Sequence, residues 1–237
     1  MKKLISIIIP AYNEEERLLI TLRKIFDFIN AQQNEFDAEV IVVNDGSTDR
    51  TKQFVLEEFA DKLNFITLPQ NMGKGAAVRE GILNSKGDLI LFTDADGSTP
   101  IVELIKLKTK IEEGFDLVIG SRKDPDLVDK KQPFHRIIIG RLFNIIANNL
   151  MGIELDDTQC GFKLIKGEIG RKLFAKMKID GFSFDVELLY LAVKHKLKIK
   201  EEPVIWVNDE RSKVNIFFDP IKMFFDLIKI RFIHFTA

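Results

Sequence analysis

Along the first half of the chain, short apolar runs alternate with longer stretches whose apolar residues recur every three or four positions. The runs at 4–9, 40–43, 64–68, 89–92 and 117–119 predict strands. The stretches at 17–29, 51–59, 74–84 and 101–113 predict helices; the first places Leu18, Leu22, Ile25 and Ile29 on one face. The strand runs are apolar throughout rather than alternating, as strands buried on both faces must be. Strand and helix in strict succession predict an α/β fold: a mostly parallel central sheet with helices on both faces.

Beyond residue 120 the alternation weakens. A charged loop is expected at 123–133, a helix at 136–151, an extended segment at 161–165, a helix at 185–195 and a strand near 204–207. The last amphipathic segment, 216–235, differs in kind. Its polar positions Asp219, Lys222, Asp226 and Lys229 fall on one narrow stripe at ~100° per residue, and the rest is almost all Ile, Leu, Met and Phe. A helix seated on one core leaves part of such a surface uncovered, so this one is expected to meet a membrane surface or a second copy. Arg211, Lys213, Lys222, Lys229 and Arg231 outweigh Asp219 and Asp226, which favours an anionic lipid surface. The organisation read here is one domain over 1–215 and an appended helix over 216–237.

Composition narrows the function classes. Apolar residues make up 46% and charged residues 30%, ordinary for an ordered domain. Lys+Arg 35 against Asp+Glu 36 gives a net charge of -1, so no basic field points to nucleic acid. A single cysteine, Cys160, excludes a disulfide framework and reads as a small buried residue. His135, His195 and His234 are too few for a histidine-built metal site, and His195 and His234 read as surface or interface residues. Phe 20 against Tyr 2 and Trp 1 is a core-building or lipid-facing bias. No apolar run reaches the ~18 residues of a membrane span. The start resembles a signal peptide only until the acids after Asn13, so a cytoplasmic protein, peripheral on a membrane face, is expected.

Ligands of open parallel sheets bind beyond the carboxyl ends of the strands. Polar residues gather there: Tyr12-Asn13-Glu14, Asn44-Asp45, Asp94-Ala95-Asp96 and Ser121-Arg122. Clustered acids need a cation. Asp94 and Asp96, two apart after a buried strand, suit one Mg²⁺ or Mn²⁺, which takes one or two carboxylates and completes its shell with substrate phosphate. By itself the same tripeptide is equally an Asx-capped turn. The stretch Asn71-Met72-Gly73-Lys74-Gly75 opens a helix whose N-terminus favours an anion. It is neither a Walker loop, since Gly75 follows the lysine, nor a dinucleotide fingerprint, since Val78 stands where the third glycine belongs.

Taken together, 7–14, 43–49, 71–75 and 94–96 resemble the inverting glycosyltransferase family 2, whose fold is GT-A with a Rossmann-like nucleotide-binding half. The stretches 156–163 (Asp-Asp-Thr-Gln-Cys-Gly-Phe-Lys), 184–189 and 211–214 resemble the branch that glycosylates polyprenyl phosphates, most of all the dolichyl-phosphate β-glucosyltransferases. The resemblance implies a hexosyltransferase using UDP-glucose, Mg²⁺ or Mn²⁺ and a polyprenyl phosphate. The near alternative is GDP-mannose, and a soluble glycan acceptor or a non-catalytic nucleotide-sugar binder stand further off. Mannose synthases often carry Gln where this chain has Ser98. Implied nucleotide-sugar contacts are Pro10, Ala11, Tyr12, Glu14, Asp45, Lys74 and Asp94, with Asp94 and Asp96 on the metal. Arg122, Arg136, Arg211 and Lys213 are implied on the acceptor phosphate, and Arg122, Asp157 and Glu187 at the reacting sugar. Asp185 and Glu187 read equally as a helix cap and a first-turn acid.

Overall fold

The computed structural model describes residues 2–129, 134–209 and 219–235, with side chains throughout except at 134–137 and 219–220. Strands β1 (Leu4–Ala11), β2 (Asp37–Asn44), β3 (Asn64–Thr67), β4 (Leu89–Phe92) and β5 (Leu117–Ser121) fall where the apolar runs predict them. Between them lie α1 (Leu18–Ala31), α2 (Thr51–Phe59), α3 (Lys74–Leu83) and α4 (Leu104–Glu112), the last entered through a 3-10 turn at Ile101–Glu103. The short β6 (Val128–Asp129) precedes α5 (Phe134–Met151), β7 (Lys163–Lys166), α6 (Gly167–Phe174) and α7 (Phe184–Lys194). The chain continues through β8 (Ile199–Pro203), β9 (Trp206–Val207) and α8 (Asp219–Ile233).

The sheet is seven-stranded, in the order β3-β2-β1-β4-β7-β5-β8. All neighbours are parallel except β7, which runs antiparallel to both β4 and β5. β6 and β9 form a separate parallel pair. Successive residues of β1 feed opposite faces: Ile5, Ile7 and Ile9 pack with α1, α2 and α4, while Ile8 packs with α3 and α7. Burial on both faces explains the unbroken apolar runs.

Three features depart from expectation. The strand expected near 204–207 is the short β9, outside the main sheet, and the main sheet ends instead on an unforeseen strand, β8 at 199–203, whose sequence Ile-Lys-Glu-Glu-Pro suits an edge. The short helix α6 was masked by its glycines. Gly170 is there because a Cβ would meet Ile165 Cγ2 at 2.9 Å, so the helix lies close on the sheet. His234, expected at the surface or an interface, is buried within the chain.

α8 lies against α5 and α7. Met223, Leu227 and Ile230 fill the core, while Phe225, Phe232 and Phe235 are 64%, 78% and 75% exposed. α5 turns Ile138, Leu142 and Ile145 outward at helical spacing. No helix among the described residues is long and apolar enough to cross a membrane.

Candidate active site

Parallel strands bring their carboxyl ends to one edge, and the antiparallel β7 brings its amino end, Cys160-Gly161-Phe162, to the same edge. There a cleft of about 650 Å³ opens, within the range of small-molecule sites. Pro10, Ala11, Tyr12, Glu14, Asp45, Lys74, Asp94, Asp96 and Arg122 all line it, so the strand ends named from sequence do converge. It is also lined by Ile139, Gly140 and Phe143 of α5 and by Lys222, Met223 and Asp226 of α8. The polar stripe of the last helix therefore turns two of its residues towards the cleft.

The floor is braced by hydrogen bonds from distant residues. Asp45 is buried, and its two oxygens accept the backbone N–H groups of Met72 and Gly73 at 2.6 and 2.9 Å. This fixes the 71–75 loop at the start of α3. Gly73 has φ +103°, and a Cβ there would meet the Asp180 carbonyl oxygen at 2.4 Å, so no other residue fits. The Asn13 side-chain oxygen accepts the Thr48 N–H at 2.8 Å, tying the ends of β1 and β2 together. Glu14 turns its carboxylate to Arg17, at 2.6 and 2.7 Å, rather than to the open cleft.

Around Asp94 and Asp96 the charges alternate. Lys74 Nζ lies 2.5 Å from Asp94 Oδ1. Desolvation lowers the Lys74 pKa, but Asp94 and Asp185 outweigh it and hold the ammonium firmly charged. Burial and the neighbouring Asp94 raise the Asp96 pKa, against a bond from Ser98 N to Asp96 Oδ1 at 2.9 Å. Gly161 makes room for this pair, since a Cβ there would meet Asp94 Oδ2 at 2.1 Å. Among the described residues no group of three or more His, Cys, Asp or Glu forms a complete metal cage. Two adjacent carboxylates open to a cleft nevertheless fit Mg²⁺ or Mn²⁺, which complete their shells with phosphate oxygens and water.

Arg122 is pinned on two sides. Its Nε and a terminal nitrogen each donate to Asp157 at 2.7 Å, and its guanidinium lies 5.5 Å from the centre of the Trp206 ring. Both Asp157 oxygens accept from Arg122, so this acid holds the cation in place. Glu187 is corrected as a contact of the reacting sugar. It is fully buried behind the cleft, accepting the N–H groups of Lys178 and Ile179 and pairing with His234 at 2.7 Å. Asp185, read as a possible cap, instead lines the cleft and pairs with the fully buried Lys163 of β7. Cys160 is buried, and desolvation pushes its thiol up to about 12, which removes it as a nucleophile. Arg211 and Lys213 lie outside the described residues, as does the side chain of Arg136.

Arg17, Lys163 and Asp209 went unnoticed in the sequence. Arg17 NH1 lies 3.9 Å from Asp96 and 3.4 Å from Asp209, so it joins the acid pair to the segment after β9. Nothing local announces this, because the partners stand far apart in the chain.

The chain is 38% identical over 242 residues to a dolichyl-phosphate beta-glucosyltransferase of Dictyostelium discoideum, covering 96% of this chain and 74% of that protein. It is 36% identical to the Saccharomyces cerevisiae enzyme of that name, covering 96% and 74%, and 35% to that of Mus musculus, covering 99% and 77%. Among solved structures, glucosyl-3-phosphoglycerate synthase of Mycobacterium tuberculosis aligns with a TM-score of 0.71 at 20% identity, covering 96% of this chain and 80% of that one. The fold is thus the GT-A fold expected from the sequence. The model of the family described as glycosyl transferase family 2 matches residues 6–174, and with these relatives it establishes that the chain belongs to glycosyl transferase family 2.

Proposed function

We propose that the chain is an inverting glucosyltransferase moving glucose from UDP-glucose to a polyprenyl phosphate of the dolichyl type, peripheral to the membrane that holds the acceptor. The observation that carries this reading is the side of the cleft lined by α5 and α8, whose outward faces bear Ile138, Leu142, Ile145, Ile221, Phe224, Phe225 and Phe232. A lipid-borne phosphate can enter there without its chain leaving an apolar surface. The names of the curated relatives supply the sugar and acceptor classes.

A phosphate monoester, with a second pKa of ~6, is mostly dianionic near neutral pH and needs no general base. Its oxygen forms the bond to the anomeric carbon while the bond to the UDP oxygen breaks, and no proton moves. The protein must align the reactants and offset the repulsion of two phosphates. Asp45 has lone pairs left to accept a base N–H, and Pro10, Ala11 and Tyr12 border the same pocket. In this reading Lys74 and the 71–75 loop face the donor diphosphate and Arg122 the acceptor phosphate, to which the family resemblance also assigns Arg136, Arg211 and Lys213. Asp157 acts through Arg122. Asp94 and Asp96 would hold Mg²⁺ or Mn²⁺, which neutralises the departing diphosphate when bound. Support for metal use comes from a solved structure of the mycobacterial synthase containing Mn²⁺ and UDP.

The test is a transfer assay with a panel of nucleotide sugars, a short-chain polyprenyl phosphate and soluble glycans. Product is expected from UDP-glucose and the lipid phosphate, with UDP competing better than GDP. Preference for GDP-mannose would overturn the donor, and transfer to a soluble glycan the acceptor. Tight binding of nucleotide sugar without turnover would make the chain a binder.

A further inference from the structure

The buried pair Glu187–His234 is not used by the transfer chemistry, yet it sits between the outermost helix and the loop at the cleft floor. Glu187 is at the start of α7, and His234 follows the last residue of α8. Both are buried, and neither lines the cleft. His234 Nε2 and Glu187 Oε1 are 2.7 Å apart. The same Oε1 accepts the Lys178 N–H at 2.9 Å, and Oε2 accepts the Ile179 N–H at 2.8 Å. One carboxylate therefore holds two successive amides of the turn before α7 and the end of α8.

That turn lies directly under the loop that opens α3. The Asp180 carbonyl accepts the Ala76 N–H at 3.2 Å. A Cβ on Gly73 would meet the Asp180 oxygen at 2.4 Å, and one on Gly75 would meet the Ile179 oxygen at 2.6 Å and the Gly181 oxygen at 2.9 Å. Backbone packs on backbone at both glycines, and at Gly75 an added Cβ would also meet Phe184 Cβ at 2.6 Å, so little room is left to absorb a shift. Arg79 of α3 also pairs with Asp180 at 2.5 Å. A displacement of the 178–181 turn must move the 73–75 loop.

We infer that Glu187 is a positioning residue for the donor site: it sets the 178–181 turn against the 73–75 loop, and His234 ties the seat of α8 into the same support. The inference rests on reading residues 73–75 as the donor-phosphate loop. It gives the helix beside the cleft a mechanical link to the loop at the cleft floor.

Glu187→Gln is the direct test. A glutamine has one acceptor oxygen, and its NH₂ must face a donor whichever way the amide is turned, so one backbone N–H loses its partner. The expected result is about tenfold weaker UDP binding by calorimetry, with kcat at saturating donor within about twofold of wild type. Amide exchange over residues 73–77 should also be faster in the ligand-free variant. His234→Leu removes the donor from α8 and should weaken UDP binding about threefold, while His234→Gln, which can still donate, should restore it. A folded Glu187→Gln protein with wild-type UDP affinity and unchanged exchange over 73–77 would overturn the inference. Should that variant not fold, His234→Leu decides by the same two measurements. Wild-type protein that fails to bind UDP would instead sink the donor assignment, and the exchange comparison would still judge the positioning role.

Discussion

The wall of the cleft built on β1, β2 and β4 fixes its polar groups by bonds to backbone and to buried partners, whereas the wall built on α5 and α8 turns large apolar side chains to the outside. In the first, Asp45 holds two amides and Glu14 holds Arg17. In the second, Phe225 and Phe232 have no cover. Two substrates with opposite needs account for the contrast. A soluble donor must be caught and held in one register, which favours a preorganised polar wall. On the proposed function a lipid acceptor is already confined to a surface, and the second wall would need only to open onto it. Between the walls stand two acids of opposite electrostatic condition. Asp157 has its charge matched by Arg122, while Asp96 has another acid beside it and a raised pKa.

The largest effect is expected at Asp96. Asp96→Ala should lower transfer by about a thousandfold, the scale seen when a single stabiliser of transition-state charge is removed. Its thermal midpoint should change little, because relief of the repulsion with Asp94 offsets loss of the Ser98 bond and of the Arg17 contact. Transfer near the wild-type rate in Mg²⁺ or Mn²⁺ buffer would break the assignment of this acid to the donor diphosphate.

Next comes the matched pair. Arg122→Ala should reduce transfer about a hundredfold and raise the acceptor KM, leaving UDP affinity near normal; a collapse of UDP affinity in calorimetry would move Arg122 to the donor wall. Asp157→Asn should cost about 3 kcal/mol, since it leaves a largely buried guanidinium without its counter-charge. This variant also carries a pH signature. Burial raises the Asp157 pKa, but the charge and hydrogen bonds of Arg122 outweigh it, and the net shift is down. A carboxylate held below its unfolded value contributes stability above that value and loses it as pH falls through the lowered one. Wild-type stability should therefore drop below about pH 4, more steeply than that of Asp157→Asn. Equal slopes in urea titrations would show that the pair contributes nothing.

The contrast between the walls was unevenly legible in the sequence. β1, β2, β4 and β5 declared themselves because strands covered on both faces have largely apolar centres, and the residues at their ends follow from topology alone. β8 did not, because an edge strand such as Ile-Lys-Glu-Glu-Pro carries the charges of a loop. The types of the site acids were legible but their partners were not. Asp157 meets Arg122 across 35 residues, and Glu187 meets His234 across 47. Neither spacing leaves a local pattern, so a helix-start acid and a buried positioning group look alike in the chain. Lys163 shows the same limit: a lysine within an apolar strand announces a partner, and only the fold names Asp185.

The smallest expected effect concerns the apolar wall, and its design matters. Deleting the chain after Asn215 would remove Met223, Leu227 and Ile230 from the core along with the exposed residues, so lost membrane binding would be confounded with unfolding. Single substitutions on the outward side avoid this. Phe232, at 78% exposure, contributes little to the core. Seated in the interfacial region of a bilayer, a phenylalanine side chain is worth about 2 kcal/mol, which is roughly thirtyfold in partitioning if fully buried and nearer tenfold at an interface. Phe232→Ser should therefore weaken flotation with anionic liposomes about tenfold, and Phe225→Ser by a similar factor, while UDP affinity and the thermal midpoint stay at wild-type values. Because α8 also carries Lys229 and Arg231, binding should weaken further as salt rises. Ultracentrifugation of the free protein separates the other occupant of this surface. A stable dimer dispersed by Phe232→Ser, with wild-type protein staying off the liposomes at low salt, would assign the apolar wall to a second copy and refute the membrane.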